Sequence, residues 1–131
     1  MSGEMDLAKL LVAMEPVLDK QPFGYATVSN EKSMADIKDV FAFIREIEGL
    51  TIIAPITVLE QHAIPYEGRW AKISLTIHSA LSAVGLTAAV AKALTEQNIS
   101  ANVVAGFYHD HFFVQWDRRM DALAALHKFK T

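Results

Sequence analysis

The sequence predicts an α+β protein made of two tandem units, each an antiparallel sheet with the element order β(α)ββα, and three observations support this prediction. Residues 70–78 (WAKISLTIH) alternate strictly, which is typical of a strand with one buried face. Residues 82–97 form an Ala-rich segment with apolar residues at helical spacing. Both halves of the chain also contain a strand, then a strand pair, then a helix: YATVS aligns with SLTIH, and LTIIAP aligns with HFFVQW.

The first half begins with a predicted helix. Residues Asp6–Met14 have their apolar side chains at helical spacing, and Pro16 is expected to end that helix. Residues Asn30–Lys38 are polar, so a loop or a single helical turn replaces the first helix of this unit, which is therefore degenerate. Gly49 is expected to adopt a positive φ in a tight turn. The other predicted elements are the strands Phe23–Ser29, Val40–Ile47 and Leu50–Ala54 and the helix Pro55–Ala63.

The second half has a clearer pattern. In the strand Trp70–His78, the residues expected on the buried face are Ala71, Ile73, Leu75 and Ile77. The helix Ser82–Gln97 follows, with a predicted apolar stripe of Val84, Thr87, Ala88, Ala91 and Leu94 that is widened by Leu86, Val90 and Ala93. A hairpin of Ser100–Tyr108 and His111–Trp116 comes next. Asp117 is predicted to cap a final helix that runs to about Lys128, with Leu123, Leu126 and His127 near its inner face.

These elements divide the chain into an N-terminal helix (1–16), a degenerate unit (17–64) and a complete unit (65–131). The order β-α-β-β-α is a ferredoxin-like βαββαβ unit without its last strand. The first strand of each unit would then lie at a sheet edge, and exposed edges are normally covered or paired. We therefore expect pairing between the units or between chains, and we expect the N-terminal helix to cover the surface left bare by the degenerate helix.

The composition limits the function. The chain has 131 residues, of which 52% are apolar and 21% charged, with a net charge of −3 and no cysteine. This excludes disorder and disulfides, and it disfavours nucleic-acid partners. No apolar run approaches the roughly 18 residues of a membrane span, and residues 1–6 lack the features of a signal peptide, so we expect a cytoplasmic protein without a membrane partner. The apolar excess predicts a homo-oligomer, a dimer or larger.

The stretch Trp70–Arg119 resembles the C-terminal half of a bacterial family of small tandem ACT-domain proteins, most strongly in HSALSAVGLTAAVAKAL and NVVAGFYHDHFFV. The same unit resembles the ACT pairs of aspartate kinase regulatory regions and of the cytosolic arginine sensor of animals. ACT domains typically bind small ligands, often amino acids, and pass the signal to an attached enzyme. The resemblance implies a ferredoxin-like (ACT) tandem repeat and a regulatory sensor of a small molecule such as an amino acid, with no attached catalytic domain and no cofactor.

The resemblance also implies where the ligand binds. In ACT domains the ligand usually sits at an interface between two units, where the loop before the first helix presents N–H groups and the second strand faces it. The corresponding residues are His78, Ser79, Leu81, Ser82, Val84, Gly85 and Leu86, opposite Asn98, Asn102, Val103 and Val104. A helix N-terminus suits a carboxylate. The loop HSALSAVG lacks the acidic residue that aspartate kinase ACT units often carry there. The alternative is that the serines only cap the helix and Gly85 only eases packing.

Other arrangements compete with this interpretation. His109-Asp110-His111 has the spacing of a metal pair, but it lies at a turn and no third ligand is indicated, so we expect no metal. Ser79, His78 and Asp110 have the residue types of a hydrolytic triad, but His78 and Ser79 are adjacent on a strand and point to opposite faces, so that geometry fails and we expect no enzyme. The rival function is a structural interaction module that uses the ACT interface only for oligomerisation.

Overall fold

The computed structural model describes residues 3–29, 38–76 and 85–130, which fall into two compact units. Residues 20–70 form one of them, which we call the inserted unit. Residues 1–19 and 71–131 form the other, which we call the split unit because the inserted unit interrupts it in the sequence. The predicted loop or helical turn at Asn30–Lys38 lies almost entirely outside the described residues.

Helices and strands are interspersed along the described part of the chain. The helices are α1 (Gly3–Ala13), α2 (Ile56–Gln61), α3 (Leu86–Glu96) and α4 (Arg119–His127). The strands are β1 (Pro16–Leu18), β2 (Phe23–Val28), β3 (Ala42–Arg45), β4 (Leu50–Pro55), β5 (Glu67–Leu75), β6 (Ala101–Ala105) and β7 (Asp110–Gln115). Short 3₁₀ turns at Trp116–Arg118 and Lys128–Lys130 flank α4. The pairs β1–β5, β2–β4, β2–β5, β3–β4 and β6–β7 are antiparallel, which confirms the α+β prediction.

The inserted unit has the strand order β3-β4-β2-β5. The first residues of β5 pair with β2, so that Phe23 lies opposite Trp70 and Tyr25 lies opposite Glu67, with a bulge between these two pairs. The predicted β(α)ββα order contains no last strand for this unit. The first part of β5, the next strand along the chain, supplies it. The buried core of this unit consists of Ala26, Ile52, Ala54, Val58, Leu59 and Ile64.

The split unit repeats this order as β6-β7-β5-β1. Here the last strand comes from the other end of the sequence, because β1 pairs with the final residues of β5 and places Val17 opposite Ser74. The missing strand of each predicted unit is thus supplied within the chain. The core contains the predicted β5 residues Ala71, Ile73 and Leu75, together with Met14, Val90, Leu94, Ile99, Phe112, Val114, Ala122, Ala125 and Leu126.

The N-terminal segment packs within the split unit. Helix α1 contacts α3 and the 3₁₀ turn Lys128–Lys130. The Lys130 Nζ donates hydrogen bonds to the carbonyls of Val12 (3.1 Å) and Met14 (3.2 Å) and forms an ion pair with Glu15 at 2.6 Å. The expectation that this helix covers the degenerate half was therefore wrong: α1 belongs to the unit built mainly from the second half.

The inner face of α3 differs from the predicted stripe. Leu86, Val90 and Leu94 are buried, whereas Thr87 and Ala88 are exposed. An Ala-rich helix offers several nearly equivalent stripes, and the stripe with the largest apolar side chains gains most from burial.

The start of α4 also differs from its prediction. Asp117 lies inside the 3₁₀ turn rather than at the N-cap, which is Arg118 and makes no side-chain capping bond. The buried residues of α4 are Ala122, Ala125 and Leu126, while His127 is exposed. The tight turn after β7 uses Asp117, so the helix begins two residues later.

Gly49 serves a different purpose from the one predicted. The turn closes through Glu46 and Gly49, each of which donates its N–H to the other's carbonyl, but the φ of Gly49 is not in the left-handed region. A Cβ at this position would lie 3.1 Å from both Thr27 Oγ1 and the Val28 carbonyl oxygen. The glycine is therefore explained by its close approach to β2.

Candidate functional site

The predicted ligand residues fall into a loop group and a facing group. In the loop group, His78, Ser79, Leu81, Ser82 and Val84 lie outside the described residues. Gly85 and Leu86 are described and mark the start of α3: Gly85 is its N-cap and Leu86 its first residue. Leu86 is 2% exposed, so its side chain serves the core, and only its backbone is available to a ligand.

Gly85 adopts a conformation that favours glycine. Its φ is +91°, in the left-handed region, and a Cβ would lie 3.2 Å from Leu7 Cδ2 of α1. The helix that follows has no side-chain cap at this residue. The first N–H groups of a helix lack intrahelical acceptors and carry the positive end of the helix dipole, so this end of α3 favours a bound anion.

A carboxylate lies beside this helix start. Asp110, the first residue of β7, accepts a hydrogen bond at its Oδ2 from Thr87 Oγ1 at 3.0 Å. The preceding turn is closed by Gly106 N–H donating to the His109 carbonyl at 2.9 Å. An acidic side chain therefore lies beside the start of α3, although the loop HSALSAVG itself contains none.

The topology could have indicated this pairing. In a β-α-β-β unit, the helix starts at the end of the first strand, and the following hairpin turns at the same end of the sheet. From the sequence alone, Asp110 is explained as a turn residue, a metal ligand or a member of a hydrolytic triad, and Thr87 as part of an apolar stripe. Both are candidate site residues that sequence reasoning missed.

The facing group does not lie together. Asn98 follows the far end of α3, which has 11 residues and therefore spans about 16 Å. There it has φ 58°, and its carbonyl and that of Gln97 accept hydrogen bonds from Arg118, at 3.5 and 3.0 Å. Within one chain, Asn98 and Gly85 are too far apart to contact one small ligand.

Strand β6 brings one member of the facing group towards the site. Val104 pairs with His111, and the next residue, Ala105, pairs with Asp110. Asn102 and Val103 lie further along this end strand of the sheet and are exposed. The structure therefore brings together Gly85, the Leu86 backbone, Thr87 and Asp110, with Val104 nearby.

The histidine pair proposed as a metal site has a different environment. His111 Nδ1 lies 2.7 Å from Ser74 Oγ on β5. Burial lowers the pKa of His111, Lys72 and His109 lower it further, and Asp110 opposes them. The ring is therefore neutral at pH 7 and engaged with Ser74. Within residues 3–29, 38–76 and 85–130, no three His, Cys, Asp or Glu side chains are placed to hold a metal ion.

The described helices are too short or too polar for any of them to cross a bilayer.

The chain is similar to known proteins along its whole length. A family model described as ACT domain matches residues 2–71, and a second model with the same description matches residues 66–128. No curated protein matches the chain. A solved structure from Vibrio cholerae, a protein of unknown function labelled a possible transport protein, is 39% identical with a TM-score of 0.86, and the match covers 99% of this chain and 100% of that one.

Two aspartate kinase structures share the fold. The ligand-free regulatory subunit of aspartate kinase from Thermus thermophilus is 12% identical with a TM-score of 0.61, over 92% of this chain and 99% of that one. The aspartate kinase of Clostridium acetobutylicum is 9% identical with a TM-score of 0.69, over 91% of this chain and 35% of that one.

Proposed function

The chain belongs to the ACT-domain family, as a tandem pair of such domains, and we propose on this basis that it is a cytoplasmic sensor that binds a free amino acid at the start of α3. ACT domains are regulatory, typically bind small ligands such as amino acids, and often oligomerise. The proposal takes the ligand class from the family and the position from this chain's own residues.

The observation that carries the proposal is Asp110 beside the start of α3, held by the 3.0 Å hydrogen bond from Thr87. An amino acid carries a carboxylate and an ammonium group on the same carbon. Its carboxylate suits the N–H groups of the first turn of α3, and its ammonium group suits the Asp110 carboxylate. Gly85 allows the chain to enter α3 in the left-handed conformation, with φ +91°, directly before these N–H groups.

We assign the other predicted residues to the same site. His78, Ser79, Leu81, Ser82 and Val84 precede Gly85 in the chain and would complete the loop around the ligand. Asn98, Asn102 and Val103 would come from a second copy, because Asn98 lies about 16 Å from Gly85 along α3 in the same chain. A homo-oligomer is thus part of the proposal.

A specific feature favours the rival function, an interaction module without a ligand. The turn between β6 and β7 carries Phe107 and Tyr108, which are 79% and 69% exposed. Their rings contact each other edge to face, with centroids 5.0 Å apart. Two exposed aromatic side chains at a turn are typical of a protein–protein contact.

A thermal-shift screen of the twenty amino acids, combined with light scattering, separates these functions. A ligand at 100 times its Kd stabilises the folded state by about 2.7 kcal/mol, which gives a clear rise in Tm. We expect one amino acid or a few related ones to give this rise. A stable oligomer whose Tm responds to no amino acid would instead favour the interaction module.

Asp110→Asn tests the position of the site. Replacing the carboxylate should weaken binding of that amino acid about tenfold or more, because a charged hydrogen bond is lost. Asp117→Asn is the matched control, since it removes the same charge from an exposed residue of the same unit. Equal affinities in wild type and Asp110→Asn would remove Asp110 from the site.

A further inference from the structure

The inserted unit has a cavity that lies far from α3 in the sequence and shares no residue with the site proposed there. Its volume is about 680 Å³, within the range of roughly 300–1,000 Å³ typical of small-molecule sites. Its lining includes Tyr25, Ala26, Thr27, Thr51, Tyr66 and Glu67.

The cavity exists because β2 extends beyond the point where its partner strand β5 begins. Strand β5 begins at Glu67, opposite Tyr25, while β2 continues for three more residues to Val28. Beyond Tyr25, the segment that leads into β5 leaves β2 and lines the cavity with Tyr66. The opening is therefore a consequence of strand register.

The Tyr66 wall depends on a glycine within a strand. A Cβ on Gly24 would lie 2.9 Å from Tyr66 Cδ2 and 3.1 Å from Leu59 Cδ1. Glycine is unfavourable inside a strand, and it often marks a place where another group approaches the backbone closely. The Tyr66 ring thus lies directly against β2, and its hydroxyl donates to Glu60 Oε2 at 3.4 Å.

The Tyr25 wall is fixed by a β-bulge. Gly68 has φ +80°, and a Cβ there would lie 2.1 Å from Trp70 Nε1, so the indole ring covers the glycine. The Trp70 ring contacts Tyr25 edge to face, with centroids 5.9 Å apart. Burial raises the pKa of Tyr25, so its phenol is protonated at neutral pH.

Carboxylates lie on and near the described part of the cavity wall. Glu67 lines it, Glu60 lies behind it on the Tyr66 hydroxyl, and Glu46 accepts a hydrogen bond from the Thr51 hydroxyl. Among the described lining residues there is no lysine, arginine or histidine. Several carboxylates around a partly apolar cavity attract a cation and disfavour an anion.

We propose that this cavity binds a small organic cation, a primary ammonium group on an aromatic or aliphatic body. The ammonium group pairs with the Glu67 carboxylate, and the body lies against the ring of Tyr25, the residue opposite Glu67, whose face also attracts positive charge. The inserted unit would then carry a ligand site of its own, different in position and in chemistry from the site at α3.

The experiment uses phenethylamine as the probe and 2-phenylethanol as its neutral analogue, with binding followed by amide chemical shifts of the full chain. We expect saturable shifts at residues 25–27, 66 and 67 with phenethylamine. The neutral analogue should bind about tenfold more weakly, because it cannot form the charged pair. The Glu67→Gln variant should bind phenethylamine about tenfold more weakly than wild type, for the same reason. Glu67 is exposed, so the substitution should leave the fold intact.

Glu96→Gln is the matched control, because it removes one exposed carboxylate from the split unit and should leave the affinity unchanged. Equal affinity for the amine and the alcohol, or undiminished affinity in Glu67→Gln, would overturn the proposal. Shifts confined to residues 86, 87 and 110 would also overturn it and would instead support the amino-acid site. Failure of the amino-acid site leaves the expected shifts of the inserted unit unchanged, so the two outcomes are distinguishable.

Discussion

The inserted and split units have the same order of strands but obtain their last strand in opposite ways. In the inserted unit the last strand is the start of β5, which follows directly along the chain. In the split unit it is β1, which precedes every other strand of the sequence. The position beside the first strand can therefore be filled from either end, because what it requires is a short backbone segment with free hydrogen-bonding groups.

The two units also differ in how that last strand is held. In the inserted unit the pairing is interrupted by a bulge between the Phe23–Trp70 and Tyr25–Glu67 pairs, and β2 extends beyond the start of β5, which leaves the cavity. In the split unit three consecutive residues of β1 pair in regular register, and Asp19 extends the contact through a hydrogen bond and an ion pair with Lys72. We infer that a last strand that follows directly along the chain tolerates irregular pairing. A last strand that comes from a distant part of the sequence is held by additional contacts.

The largest test of this comparison removes one core leucine from each unit. Leu94→Ala in the split unit and Leu59→Ala in the inserted unit each delete a side chain with 0% exposure, which should cost about 2–5 kcal/mol. Each unit contains one tryptophan, Trp116 and Trp70 respectively, so fluorescence in single-tryptophan variants during urea unfolding follows them separately.

Because β5 contributes to both sheets, we expect the two tryptophan signals to share one transition and each leucine substitution to lower both midpoints together. Two separated transitions, each moved only by the substitution in its own unit, would show that the units fold independently in spite of this strand.

A smaller effect is expected from breaking β1. Asp19 donates its N–H to the Lys72 carbonyl, and the Thr76 N–H donates to the Glu15 carbonyl. Hydrogen-bonded pairs alternate along an antiparallel ladder, so Val17 and Ser74 form one too. Val17→Pro removes that donor and should destabilise the split unit by roughly 3 kcal/mol.

The control is Val17→Thr, because the Val17 side chain is 51% exposed and this change keeps the N–H. It should alter the free energy of unfolding by less than about 0.5 kcal/mol. Equal urea midpoints for the proline and threonine variants would mean that β1 is not required as the last strand.

The smallest effect concerns the ion pair that holds the end of α1. The Lys130 ammonium lowers the pKa of Glu15 from its ordinary value of 4.5, first by hydrogen bonding and then by charge. A carboxyl group with a lowered pKa stabilises the folded state above its unfolded pKa, and this contribution is lost as the pH falls through the folded-state value.

The difference in unfolding free energy between wild type and Glu15→Gln should therefore be constant from pH 7 to about 5 and should shrink below 4.5. The difference in unfolding free energy between wild type and Lys130→Met should persist at low pH. Lys130 also donates to the Val12 and Met14 carbonyls, which do not titrate. A wild-type advantage over Glu15→Gln that is unchanged at pH 3 would contradict the assignment.

Much of the fold could be predicted because the pattern and the packing agree. The alternation of β5 is visible in the sequence, since Ala71, Ile73 and Leu75 face the core and the residues between them do not. Strand β1 could not be predicted, because Pro-Val-Leu is too short to show a period. It is a strand only because the end of β5 offers it a partner, which is a tertiary effect on a weak local preference.

The candidate site was only partly predictable for a similar reason. Gly85 and Leu86 were found through a resemblance that concerns neighbouring residues in the chain. The Thr87–Asp110 hydrogen bond joins residues 23 positions apart, and only the topology brings them together. Asp110 had an adequate local explanation as a turn residue, which concealed its hydrogen bond to Thr87.

The hydrogen bonds of Lys130 also determine the order in which the molecule can be completed during its synthesis. Residues 20–70 emerge as one contiguous segment and can pair their strands early. The split unit has to wait, because Lys130 binds the Met14 carbonyl across 116 positions of the sequence. Contacts between such distant residues form slowly, so α1 and β1, which leave the ribosome before residues 20–70, are expected to dock after them.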